Sequence, residues 1–523
     1  MSARTDPDTG VVDAEVEVEV EEAEPAATPA PARRWWRRAL VLLGALVPGL
    51  GTLALGLYGS GRRDMWNDEL ITWHATRLPL ADLRRLIVNI DLYHTFYYLL
   101  MHPWVRYVGD TPTLLRLPAA CAMALTAVLI VLIGRRLVDT PVGLTAGLLF
   151  AVLPPVSRYA QEARSYGLVV LGATLATWLL LKALDRSGAW WWTLYGATVV
   201  MIGWLHFVSL GVLVGHAVWV LLAHRRDDRR WDWVVTVGTS MLVVIPLFVM
   251  GKGQASAAAW IKNDLPAVIK FPRHLFGSHG IAMAVVGLAL LGVLFAVRRY
   301  GPLIAALTLW ALIPPLVGYA TGSFLYLFLG RYYLFTLPAW CLLAALGACQ
   351  VGRALGWFRV PALWPVGALL GVSLVACLGV PAQQELRTSA LNGQPGYADA
   401  YRYVRQQAKP TDGIAFNDGF ARPSDLARKA WNYESRAMTG RPRDVFLDKA
   451  ARQRGWLTAT ECPAPTACLG DTARIWLVET GNPSDPFAGL PKNRAALLKD
   501  KFTVKHVEKL NRIRVIQLER KKP

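Results

Sequence analysis

The chain has 523 residues, of which 54% are hydrophobic and 18% charged, and its mean hydropathy is +0.32. Soluble domains carry nearer a quarter charged residues, and the apolar residues here come in blocks of about 20, the length of one bilayer crossing. A soluble multidomain enzyme, a disordered protein and an outer-membrane barrel are thereby excluded. The net charge of +19 would suit nucleic acid or a membrane surface, so the placement of the charges decides.

Residues 1–32 hold nine acidic residues, most of them between Glu15 and Glu24, against a single Arg, Arg4. So little apolar surface cannot offset chain entropy, which predicts a disordered acidic cytoplasmic tail. No secretory signal peptide is expected, because the first apolar block follows this tail and shows no small-residue cleavage site. Arg33-Arg34-Trp35-Trp36-Arg37-Arg38 then forms the basic–aromatic edge expected on the cytoplasmic side of a membrane.

Eleven spans are expected, near 39–59, 113–134, 141–156, 165–184, 189–207, 208–223, 232–250, 280–297, 302–320, 332–350 and 361–380. With the N-terminus inside, the short cytoplasmic loops carry Arg135-Arg136, Lys182 with Arg186, Arg225-Arg226 with Arg229-Arg230, Arg298-Arg299, and Arg353 with Arg359. Every loop on that side is basic, as the positive-inside rule requires. Much of the net charge is therefore a topology signal, and no nucleic-acid partner is expected. An odd number of spans puts the C-terminus outside, in a plasma membrane.

The fold class expected is thus an α-helical polytopic membrane protein with a small C-terminal extracytoplasmic α/β domain. Its parts are the tail 1–32, a transmembrane module 33–381 whose first outer loop is 60–112, and the outer domain 382–523. In that last part Tyr397–Ala408 and Pro491–Phe502 read as helices, and Gly413–Phe416, Ala473–Glu479 and Ile513–Glu519 as strands. It holds 25 basic and 15 acidic residues, a surplus that suits anionic lipid phosphates or an acidic wall polymer, or simply solubility. Cys462 and Cys468 flank a short loop there that a disulfide could close outside the cell. The other cysteines fall in spans and read as packing residues.

The candidate chemistry lies at the outer helix ends. Asp68 and Glu69, in Asp64-Met65-Trp66-Asn67-Asp68-Glu69-Leu70, follow the first span; ionisable groups at membrane depth are functional candidates, with a solvated turn as the bland reading. Asp91-Leu92-Tyr93-His94-Thr95-Phe96-Tyr97-Tyr98 puts a carboxylate, an imidazole and aromatics in one stretch. That combination suits a sugar site, whereas Tyr97, Tyr98 and Trp104 also read as headgroup anchors. In Ser157–Tyr166, helical spacing would align Arg158, Glu162 and Tyr166 on one face, for an ion pair or for a phosphate held by Arg. Gly330-Arg331-Tyr332-Tyr333 opens the tenth span, and Arg331 there could snorkel or bind phosphate. No Gly-rich phosphate loop, metalloprotease motif or nucleophile elbow stands out.

Taken in order, Trp66-Asn67-Asp68-Glu69, the Asp91–His102 stretch, Leu115-Arg116-Leu117-Pro118, Ser157–Tyr166 and Arg331-Tyr332 resemble the GT-C superfamily over residues 60–350. They are most similar to actinobacterial polyprenyl-phosphate-mannose-dependent mannosyltransferases, related to the family 39 protein O-mannosyltransferases and to lipid A aminoarabinose transferases. That family's common His-Pro-Pro is replaced here by Tyr93-His94-Thr95. The resemblance implies an inverting glycosyltransferase that moves a sugar, mannose by analogy, from polyprenyl phosphate to an extracytoplasmic hydroxyl. It implies that Asp68, with Glu69 beside it, supplies the general base. Arg158, Arg164, Arg331 and Tyr332 would hold the donor phosphate, and Asp91, His94, Tyr97, Glu162 and Tyr166 would bind substrate. Asp68, Asp91 and His94 could also hold a divalent metal cation; no other cofactor is implied. Protein, glycan, lipid and secreted-peptide acceptors all fit. The rival readings are a lipid-linked sugar transporter or flippase, disfavoured because the charges avoid mid-span positions, and a non-catalytic glycan-binding membrane protein.

Overall fold

The computed structural model describes residues 32–186, 188–254, 259–355, 364–388, 395–419, 425–481 and 483–522. Residues 1–31, the acidic segment read as a disordered tail, lie outside them. By internal contacts the chain divides into Met1–Leu43 and Gly44–Pro523. Of the first unit the structure describes the opening turns of helix α1 (Ala32–Leu57).

In the second unit the chain leaves α1 for a folded segment, the one expected as the first outer loop 60–112. It comprises α2 (Asn67–Arg77), α3 (Leu80–Leu86), a π-helical turn (Ile87–Asp91), a 3-10 turn (Leu92–His94) and α4 (Thr95–Tyr107). The apolar helices follow: α5 (Pro112–Leu137), α6 (Thr140–Val152), α7 (Pro154–Ala160), α8 (Tyr166–Asp185), α9 (Ala189–Leu205), α10 (Val212–Ala223) and α11 (Arg229–Gly251). After them come α12 (Leu265–Phe276), α13 (His279–Ala320), the short α14 (Gly322–Leu325), α15 (Leu337–Leu355) and α16 (Trp364–Glu385).

Each expected apolar block is helical where described, but the lengths differ from eleven uniform spans. Among the described residues six helices are long and apolar enough to cross a membrane, seven if α6 and α7, bent by 63°, form one span. The spans expected at 280–297 and 302–320 are two helices within α13 that meet at a kink, at the non-helical Tyr300 ahead of Pro302. Proline removes a helix donor and crowds the preceding turn, which accounts for a bend without a loop. The basic loops expected inside do meet at one end: Arg136 pairs with Asp185, and Arg353 with Asp139.

Close backbone approach holds this bundle together. A Cβ on Gly347 of α15 would lie 1.9 Å from the Leu288 carbonyl oxygen of α13, and one on Gly292 would lie 2.3 Å from that of Leu343. Small residues at such crossings let helices associate where lipid offers no hydrophobic driving force.

The C-terminal domain is a five-stranded mixed sheet flanked by helices. Its strands are β1 (Gly413–Asn417), β2 (Arg443–Asp444), β3 (Arg474–Thr480), β4 (Phe502–Leu510) and β5 (Ile513–Arg520). The order is β2-β1-β3-β5-β4, parallel as far as β3 and antiparallel beyond. Helices α17 (Tyr397–Gln407) and α18 (Leu426–Glu434) lie on the side of the outer segment, while α19 (Ala451–Arg454), α20 (Pro465–Leu469) and α21 (Lys492–Lys501) complete the domain. The expected strands are present. β2 and β4 were not foreseen: β2 has two residues, and β4 is an edge strand in which the adjacent pairs Lys505-His506 and Glu508-Lys509 break the apolar alternation. Cys462 and Cys468 are bridged, with Cα atoms 6.5 Å apart.

The domain rests on the outer segment through specific bonds. Ala398 N donates to Asp64 Oδ2 at 3.1 Å, Lys429 Nζ to Asn67 Oδ1 at 3.2 Å, and Asn89 Nδ2 to the Gly455 carbonyl at 3.0 Å. Trp73 and Tyr433 meet edge to face at 5.2 Å.

Candidate active site

Helix α2 starts at Trp66, whose backbone N–H donates to the Glu69 carboxylate at 3.5 Å, one half of a capping box. Successive helical residues point about 100° apart, so adjacent carboxylates cannot share a direction. Glu69 turns inward and is fully enclosed. Arg116 Nε and Nη2 donate to its two oxygens, each at 2.7 Å, and Ala163 N–H donates to Oε1 at 2.9 Å. Burial alone would raise this carboxyl's pKa; Arg116 and Arg63 pull it below the ordinary value. Arg116 also donates to the carbonyls of Ser60, Arg63 and Asp64, closing the turn between α1 and α2. Glu69, expected beside Asp68 in catalysis, is thus occupied by a buried ion pair and has no face toward a substrate.

Asp68 turns the other way, partly open. Arg331 Nη2 stands 3.5 Å from its Oδ2, and Asn67 Nδ2 donates to Oδ1 at 3.2 Å. The Arg331 guanidinium is bounded by the rings of Trp66, Tyr166 and Trp260, between 5.3 and 5.9 Å from their centroids. Arg164, from the turn between α7 and α8, is buried. Burial opposes its charge, yet its pKa lies above the ordinary guanidinium value, with Asp68 the foremost of the neighbours that favour the cation. Among the described residues Arg164 Nε and Nη1 and Arg331 Nε are buried without a hydrogen-bond partner. Buried donors are nearly always satisfied, so these face a place for an acceptor.

Arg164 is held by a relay. Its Nη2 donates to His94 Nε2, His94 Nδ1 lies 2.6 Å from Asp91 Oδ1, and the Tyr98 hydroxyl donates to Asp91 Oδ2. Burial would raise the pKa of Asp91, but His94 and Arg164 hold it below the usual carboxylate range. The turn that carries Asp91 and His94 is fastened from the far end of α11. Gln254 Nε2 donates to the carbonyls of Ile87 and Val88, and its Oε1 accepts from Leu92 N.

The remaining expected residues divide. Helix α7 ends at Ala160, so Arg158, Glu162 and Tyr166 do not share a helical face, and among the described residues Arg158 and Glu162 make no ion pair. Residues 161–165 turn between α7 and α8 instead of continuing the helix, which is why the i, i+4 spacing fails. Arg158 lies over the Tyr159 ring, its Nε unpartnered. Glu162 is buried with Oε1 unpartnered among the described residues, and burial pushes its pKa up to about 7. Tyr166 and Tyr332 frame Arg331, and His206, unforeseen, packs 4.4 Å from Tyr332. Tyr97 and Tyr98 are buried rather than set at headgroups, so the anchor reading fails for both, and Tyr97 is closed off by Tyr98. The metal set does not assemble. Asp68 faces Arg331 while Asp91 and His94 face each other, and among the described residues no three His, Cys, Asp or Glu side chains gather for a metal.

Two residues with clear roles lacked a sequence signal of their own. Arg116 stands in a motif of the resemblance, yet an Arg in an apolar helix does not announce its partner. Lys429 comes from the C-terminal domain, 361 residues beyond Asp68 in the chain, and touches Asn67.

The sequence profile of the dolichyl-phosphate-mannose-protein mannosyltransferase family matches residues 96–250. In structure the chain is similar to ArnT from Cupriavidus metallidurans bound to undecaprenyl phosphate, with a TM-score of 0.56 at 11% identity, covering 92% of this chain and 98% of that one. The chain has the GT-C fold. It is also similar to the archaeal oligosaccharyltransferase AglB from Archaeoglobus fulgidus in complex with an inhibitory peptide and a dolichol-phosphate, with a TM-score of 0.50 at 12% identity, covering 85% and 70% of the two chains. No curated protein matches the chain in sequence. Within the GT-C fold, the clustered Asp68, Arg164 and Arg331 lie where the outer segment meets the ends of α7, α8 and α15.

Proposed function

We propose that this protein is an inverting glycosyltransferase that moves a sugar from polyprenyl phosphate to a hydroxyl on the extracytoplasmic side of the membrane. The observation that carries the reading is the pair of guanidiniums, Arg331 at 3.5 Å from Asp68 and Arg164 with its charge favoured by the same carboxylate, each with buried donors that no described residue satisfies. Paired Arg side chains suit phosphate oxygens. Asp68 beside them is an accessible carboxylate, whereas Glu69 is spent on Arg116.

In the reaction the acceptor oxygen attacks the anomeric carbon while Asp68 accepts its proton. The bond from the anomeric carbon to the phosphate oxygen breaks, configuration inverts, and polyprenyl phosphate departs with the electron pair. Arg164 and Arg331 meet the charge that grows on the phosphate, the kind of fixed electrostatic aid that contributes most to catalysis. The relay from Asp91 through His94 keeps Arg164 aimed. The undecaprenyl phosphate named with ArnT and the dolichol-phosphate named with AglB support a lipid-phosphate leaving group, and the matched family's name supports mannose. The basic loops support an N-terminus in the cytoplasm and the C-terminal domain outside.

The test is transfer from polyprenyl-phosphate mannose by the full-length protein in nanodiscs, with release of polyprenyl phosphate followed beside the product. Asp68→Asn is expected to lower turnover by ~10²–10⁴-fold while donor binding persists. Undiminished transfer by that variant would remove Asp68 as the base.

A further inference from the structure

A concavity lies against α2. It is a cavity of about 470 Å³ between that helix and the C-terminal domain. Leu70, Ile71 and His74 supply one wall, at the helical spacing of a single face. The opposite wall comes from α18 and the segment around β2, with Trp431 and Leu457 among its apolar members.

The charges in this lining do not cancel. Five cations line it, Arg428, Lys429, Arg441, Arg443 and Arg452, against two carboxylates, Asp425 and Asp444. Asp425, Asp444 and Glu461 pair with Arg428, Glu461 also with Arg494, and Asp82 pairs with Arg452 and Arg85, so that these four carboxylates offset four cations. The other three lining cations have no carboxylate partner among the described residues. Lys429 bonds to the Asn67 amide oxygen, Arg443 to Thr472 and the Leu469 carbonyl, and Arg441 has no partner there at all. Burial lowers the pKa of Lys429, while Asp425, Asp418 and Asp68 nearby favour its charge. His74 adds a buried Nε2 with no described partner, and burial drops its pKa to about 4, leaving a neutral ring able to accept or donate one hydrogen bond.

The cavity also reaches the chemistry. Lys429 lines it and, by its bond to Asn67, touches the residue next to Asp68. We infer that this cavity binds the anionic part of the acceptor, a carboxylate-bearing saccharide, and that Lys429 is a positioning residue linking the seated acceptor to the first turn of α2, which carries Asp68. The claim that the ligand is an acceptor rests on the transferase reading; the claim that the cavity selects a sugar carboxylate does not.

Two probes separate these claims: methyl β-glucuronide and methyl β-glucoside, which differ by a carboxylate in place of a hydroxymethyl group. Equilibrium binding of each is measured with the full-length protein in nanodiscs at low salt. The glucuronide is expected to bind about tenfold or more tightly, near one decade per ion-paired contact of 1.4 kcal/mol. Arg441→Glu should abolish that preference, and Arg441→Lys, which keeps the charge, should retain it. Equal binding of the two probes by the wild type, or a preference that survives Arg441→Glu, would overturn the inference. With the donor present, the glucuronide should also be the better acceptor, through KM rather than kcat. A retained binding preference without any sugar transfer would count against the transferase reading alone, whereas transfer that ignores the carboxylate would count against the cavity as the acceptor site.

Discussion

Glu69 and Arg116 meet in a bidentate ion pair, both contacts 2.7 Å and both side chains wholly inaccessible, at the joint between the outer segment and α5. Breaking one side of such a pair strands a charge in the interior, which costs about 3–5 kcal/mol, more than the pair itself contributes. Arg116→Ala is therefore expected to lower thermal stability sharply, measured by unfolding in detergent. The double variant Glu69→Gln with Arg116→Met should recover part of the loss. Equal stability of Arg116→Ala and wild type would mean that the pair does not organise the joint.

His94 accepts a hydrogen bond from Arg164 and pairs with Asp91. His94→Ala leaves Arg164 its charge but frees its direction, so turnover is expected to fall by about 10-fold or more with little change in donor affinity. His94→Gln, which can still accept from Arg164, should restore part of that activity. Added divalent cations should not rescue His94→Ala. Rescue by a metal would reassign the cluster.

Glu162 makes stability depend on pH near neutrality. Its carboxyl is raised to about 7 in the fold from an unfolded value of 4.5. Between those values the folded state holds a proton that the unfolded chain has lost, so stability falls as pH rises through the window and levels off above 7. Relative to Glu162→Gln, which cannot titrate, the wild type should lose up to about 3 kcal/mol between pH 4.5 and 7. Melting curves of both proteins across that range provide the check. Parallel curves would show that Glu162 is ionised at all of these pH values.

The crossing of α13 and α15 leaves no room for a side chain at Gly347. Gly347→Val must separate the helices and should reduce the yield of folded protein and its melting temperature. Gly301→Ala, where a Cβ meets nothing within 4 Å, serves as the tolerated control.

The sequence made the bundle legible because twenty-residue apolar blocks and basic loops are long-range patterns that tertiary contacts do not rewrite. Asp68 and Arg331 stood out because charges are rare at apolar helix ends, whereas Arg164 came only with the family resemblance. Direction was harder to read. Asp68 and Glu69 are neighbours in the chain, and only the helix start at Trp66 sends one to the opening and the other to Arg116. The spacing of Arg158, Glu162 and Tyr166 misled because a helical periodicity was continued through a turn that ends it. Lys429 was invisible because contact between a C-terminal helix and the first turn of α2 leaves no local trace.

Gln254 holds the Asp91–His94 turn by three hydrogen bonds, and that turn in turn aims Arg164. The outer end of α11, residues 87–94 and the turn before α8 are therefore one mechanical part, although the chain visits them far apart. A substitution at Gln254, outside every sequence motif and touching neither Asp68 nor Arg331, should thus loosen the grip on the leaving phosphate as surely as one beside it.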